Sequence, residues 1–146
     1  MKTLIIIVLS SLALSATAFE LKSDQSYVSK SKTKGCEDFI LEKSENPDTP
    51  AWYLGQKIIF FEPGFKSNEH SNCHFDKKTD LVSNKWVQQT TAKDCEFKDL
   101  GHTRVEVLEQ TKSGELLYTS EIAYDDQKDQ VQRLSCRFVK KASKAN

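Results

Sequence analysis

The sequence predicts an all-β domain, a small antiparallel sandwich or barrel stabilised by disulfides, with room for at most one short helix. Three observations carry this. Roughly seven or eight short extended runs are separated by turn residues instead of alternating with helical stretches. The four cysteines form an even set in a chain that opens like an exported one. Three of them head the triplets Cys73-His74-Phe75, Cys95-Glu96-Phe97 and Cys136-Arg137-Phe138, whose two-residue spacing puts sulfur and ring on one strand face.

The opening reads as a secretory signal peptide over 1–18: Lys2, an apolar block over 4–14, then Ala16 and Ala18 at the positions a signal peptidase inspects. The block is shorter than the roughly 20 residues that cross a bilayer. Beyond it, 19–35 is expected to be extended or flexible, 36–140 a single β-rich domain, and 141–146 a flexible basic tail. Loss of 1–18 removes one lysine and no acid, leaving a net charge of −1. That balance disfavours nucleic acid as a partner, because phosphate contacts need a basic excess. Basic residues gather only at Lys30, Lys32 and Lys34 and at Arg137, Lys140, Lys141 and Lys144, where they matter together only if the fold joins the two ends.

The extended runs follow in order. The first is 36–41, closed by a loop whose Pro47 and Pro50 exclude regular pairing. The stretch 52–61 reads as one strand, its Ile-Ile-Phe-Phe run suited to burial on both faces. The polar stretch 62–72 reads as a loop. A strand starting at Cys73 returns through the turn Ser83-Asn84-Lys85 to a strand over 86–91. Arg104-Val105-Glu106-Val107 alternates and, across Lys112-Ser113-Gly114, faces a second period-two run of Leu116, Tyr118, Ser120, Ile122 and Tyr124. After a turn-rich stretch, Leu134, Cys136 and Phe138 share an inward face. A helix over 122–134 competes for this region, but it would be charged and poorly amphipathic.

Three cysteine pairings are possible. Cys73 and Cys95 lie at equal distances from Asn84, so a hairpin there sets their sulfurs against each other and leaves Cys36 for Cys136.

The densest polar cluster surrounds His70, Cys73 and His74. Two imidazoles and a thiolate suit zinc or copper, but a disulfide at Cys73 leaves only His70 and His74, too few for a structural metal site. Catalytic signatures are weak. There is no Gly-x-Ser-x-Gly elbow and no glycine-rich phosphate loop, and acidic pairs such as Asp76 and Asp80 arise by chance among 21 acids. No cofactor is expected. The sequence therefore points to a monomeric, secreted or periplasmic, non-enzymatic binding protein without a membrane span, whose partner is a protein or a small molecule. Its candidate contact surface is a loop carrying Glu62, Phe65, Lys66, Asn68, Glu69 and His70, and an inhibitor of an extracellular enzyme is one version. Two alternatives are a carrier of an apolar ligand, lined by Trp52, Tyr53, Phe60, Phe61, Phe65 and Trp86, and a metal protein or hydrolase using His70 and His74.

Overall fold

Turn chemistry sets the topology. The computed structural model describes residues 19–96, 101–127 and 129–142, so the segment 1–18 read as a signal peptide, Phe97 and the end of the basic tail lie outside the described residues. Ten strands follow in chain order: β1 Gln25–Ser29, β2 Phe39–Lys43, β3 Ala51–Leu54, β4 Ile58–Phe61, β5 Lys66–His70, β6 His74–Val82, β7 Lys85–Lys93, β8 His102–Gln110, β9 Leu116–Tyr124 and β10 Val131–Lys140. All pair antiparallel in one sheet of order β4-β3-β2-β1-β10-β9-β8-β7-β6-β5. No helix occurs among the described residues; β9 runs to Tyr124 and β10 starts at Val131, where the competing helix would lie.

The two expected hairpins form. Ser83, at φ 57°, and Asn84 close β6 onto β7, with Val82 opposite Lys85. Gly114, at φ 80°, takes a left-handed conformation that a side chain disfavours, and turns β8 into β9.

Two segments depart from the sequence reading, and a third gains a place in the sheet. The run 52–61 is two strands, because Gly55 at φ 71° reverses the chain and pairs Leu54 with Ile58. The expected loop 62–72 is outside strands only over 62–65 and 71–72. From Lys66 it becomes edge strand β5, which polar side chains suit because one edge has no neighbouring strand. Segment 19–35 contributes β1, which lies between β2 and β10. That pairing brings the chain ends together: Lys30 N–H donates to the Arg137 carbonyl at 2.8 Å, and Lys141 N–H to the Ser26 carbonyl at 2.9 Å.

The edge strands β4 and β5 are consecutive in the chain, so the short segment 62–65 must bridge the two ends of a ten-stranded sheet. The sheet curls on itself to allow this, and its concave face becomes the core. Tyr27, Phe39, Leu41, Trp52, Leu54, Ile58, Phe60, Trp86, Leu108, Leu116, Tyr118 and Phe138 are buried there. Tyr27 stacks on Phe39 at 5.2 Å, Phe39 meets Phe138 edge-on at 4.9 Å, and Phe60 reaches Trp86 and Tyr118 at 6.4 and 6.5 Å. Each such buried side chain contributes about 1.5–3 kcal/mol.

Both disulfides have the expected partners. Cys36–Cys136 ties the approach to β2 onto β10, and Cys73–Cys95 closes the open end of the β6–β7 hairpin. Such bonds mark an oxidising, non-cytosolic environment. No helix of the described residues is long and apolar enough to cross a membrane.

Candidate functional site: a cleft on the concave face

Antiparallel register arranges the concave face of β6 to β9 in transverse rows, since directly opposed residues share a face. At one end Trp86, Leu108 and Tyr118 form an apolar row. Next come Thr79, Gln88, Glu106 and Ser120, all polar and all buried. A third row holds Lys77, Thr90, Arg104 and Ile122, and Ser67 of β5 extends it opposite Lys77. The last row is Phe75, Ala92, His102 and Tyr124. The core thus fills one end of the curl, and the surface becomes polar, then cationic, then aromatic toward the other.

The buried polar row closes the curl. Strand β4 has no strand on its outer edge, and Gln88 serves that edge instead. Its Oε1 accepts from Phe61 N–H at 2.9 Å and from Thr79 Oγ1 at 3.3 Å, while its Nε2 donates to the Ile59 carbonyl at 3.1 Å and to Glu106 Oε2 at 2.9 Å. All four bonding positions of the carboxamide are used. Glu106 gives its second oxygen to the Tyr118 hydroxyl, which donates at 2.7 Å. Burial, and after it the Glu106 carboxylate, push the Tyr118 phenol above its ordinary value, so it stays a protonated donor.

Between β4 and the cationic row lies a cleft of about 370 Å³. Ile59, Phe61 and Phe75 supply apolar wall, Lys77 and Arg104 supply positive charge, and Gln88, Thr90 and Glu106 form polar floor. Ile59 is 41% exposed, on the opposite face of β4 from the fully buried Phe60. Lys77 Nζ stands 4.9 Å from the centre of the Phe61 ring, a cation–π distance.

The residues singled out from the sequence fall elsewhere. Glu62 is a brace, accepting from Trp52 Nε1 at 3.2 Å and pairing with Lys43 at 3.0 Å. Phe65 stacks on Phe61 at 4.0 Å, and Lys66, Asn68, Glu69 and His70 belong to β5. His70 Nε2 and His74 Nδ1 approach to 2.6 Å across the β5–β6 pair, but the sulfur of Cys73 is spent on Cys95. Among the described residues no group of three histidine, cysteine, aspartate or glutamate side chains is placed to hold a metal ion. Of the aromatic set proposed to line a carrier cavity, Trp52, Phe60 and Trp86 are core, and Phe61 alone borders the cleft.

Sequence reasoning missed Gln88, Glu106 and Arg104, although a signal was present. Each lies on the parity of a large apolar residue: Gln88 two from Trp86, and Arg104 and Glu106 on the alternation that ends at Leu108. The valines of that alternation take the outer face, with Val105 36% exposed. Comparison with protein-family models, curated proteins and solved structures finds no match for this chain.

Proposed function

We propose that the protein is exported, its 1–18 segment removed as a signal peptide, and that it is a non-enzymatic binding protein holding a small organic molecule in the concave cleft. One observation carries this reading: the curl is packed solid at one end and leaves at the other a cleft that combines apolar wall with convergent polar groups. Ligand sites on β scaffolds have this composition. The groups present suit holding better than reacting, since both carboxylate oxygens of Glu106 are occupied by Gln88 and Tyr118. The disulfides support export.

Native mass spectrometry of protein isolated from its own source without a denaturing step tests the proposal. A retained mass that denaturation releases is expected; the bare polypeptide mass in every charge state would contradict it.

A protein occupant, including an enzyme that the domain would inhibit, is the second reading. It is favoured by β5, a terminal strand of the sheet whose outer edge could accept an added strand. Capture of one stoichiometric protein by the native domain, but not by its reduced and alkylated form, would select it over the small-molecule reading.

A further inference from the structure

We infer that the cleft is specific for organic oxyanions, a carboxylate, sulfonate, sulfate or phosphate carried on an apolar body, and that Arg104, Lys77 and Thr90 form the headgroup site. This rests on the cleft being the binding site and specifies what it takes.

Two side-chain polar atoms of the described residues are buried without any hydrogen-bond partner, Arg104 Nε and Ser67 Oγ. Both belong to the same transverse row, with Lys77 and Thr90 between them in register. An unmet buried donor is costly, so a native fold keeps one where something else satisfies it. Every side chain of that row from Ser67 to Arg104 can donate, and Lys77 and Arg104 can only donate. A row of donors matches an acceptor with several lone pairs, and the two cations make that acceptor an anion.

The surrounding charges agree. Lys57, at the cleft rim, is already paired with Glu37 at 3.2 Å. The single acid of the wall, Glu106, accepts from Gln88 and Tyr118 and makes no hydrogen bond to Arg104 Nε, which has no protein partner. The apolar side chains Phe61 and Ile59 face the row from β4, and Phe75 flanks it on β6. A headgroup on the row therefore leaves its apolar body against those three side chains.

Two fluorescent probes with one aromatic body separate the charge requirement from the cleft: 8-anilinonaphthalene-1-sulfonate, and N-phenyl-1-naphthylamine, which lacks the sulfonate. Disulfide-intact protein should bind the sulfonate about tenfold more tightly at low salt, as expected for charge-assisted hydrogen bonds. Arg104→Gln should remove most of that preference and leave the neutral probe unchanged, Lys77→Gln should weaken the sulfonate less, and Phe75→Ala should weaken both. Lys77 lies beside the solvent-facing edge strand, so its variant reports on charge even if the Arg104 variant does not fold. Equal affinity for the two probes, unmoved by Lys77→Gln, would overturn the oxyanion assignment and leave the cleft reading standing. Binding of neither probe would overturn both.

Discussion

Gln88 occupies a position where β4 has no neighbouring strand, and its side chain supplies the missing backbone partners. Replacing it with alanine strands Phe61 N–H, the Ile59 carbonyl and one Glu106 oxygen in a buried setting. Leaving such groups unmet costs about 1–3 kcal/mol. Gln88→Ala should therefore lower the urea midpoint by a corresponding amount at unchanged slope, and an unaltered midpoint would show that β4 is held by its apolar contacts alone. Tyr118 makes a pH-dependent prediction. Its phenol is raised in the folded state, so the unfolded chain loses that proton first as pH climbs. Its contribution is fully present below the unfolded value of 10.0 and falls as pH rises beyond it. Tyr118→Phe should flatten part of the alkaline loss of stability in denaturation curves recorded over a pH series, and Tyr27, also raised by burial, acts in the same direction.

The strands differ in how plainly their residues announce them. Ser83-Asn84 and Lys112-Ser113-Gly114 punctuate long period-two runs, so the β6–β7 and β8–β9 hairpins were legible, and with the first of them the cysteine pairing. Strands β1 and β5 were not, because Lys66–His70 is polar and ordered by pairing with β6 alone, and the short Gln25–Ser29 shows only Tyr27 as a core residue and is ordered between β2 and β10. Gly55 hid the break between β3 and β4, since a lone glycine within an apolar run also reads as a weak point in one strand. The two disulfides act on different ranges of chain. Cys36–Cys136 spans 100 residues and Cys73–Cys95 spans 22. Chain-entropy arguments assign them about 4.7 and roughly 3 kcal/mol. Replacing both cysteines of each pair by alanine in turn should destabilise in that order in calorimetry; the reverse order would place the greater constraint at the hairpin.

At the scale of the whole molecule, the curl packs one end of the concave face as core and sets the rest of it against the outward residues Ile59 and Phe61 of β4, which makes the cleft. The core was readable as aromatic and aliphatic residues at alternate positions. The cleft was not, because its parts come from β4, β6, β7 and β8, and only register places Lys77, Thr90 and Arg104 in line. A buried polar residue between apolar neighbours resembles an outward one until parity is counted from Trp86 or Leu108. The same curl joins the basic residues around Lys30 to those around Arg137, but Glu115 already holds the Arg137 guanidinium at 3.0 Å. The proposed recognition surface is the concave side alone. Backbone amide shifts mapped by two-dimensional NMR during titration with 8-anilinonaphthalene-1-sulfonate test that most directly. Perturbations should concentrate at Ile59, Phe61, Phe75, Lys77, Thr90 and Arg104 and spare the segment around Lys30; shifts centred on Lys30 and Arg137, or on β5 alone, would contradict it.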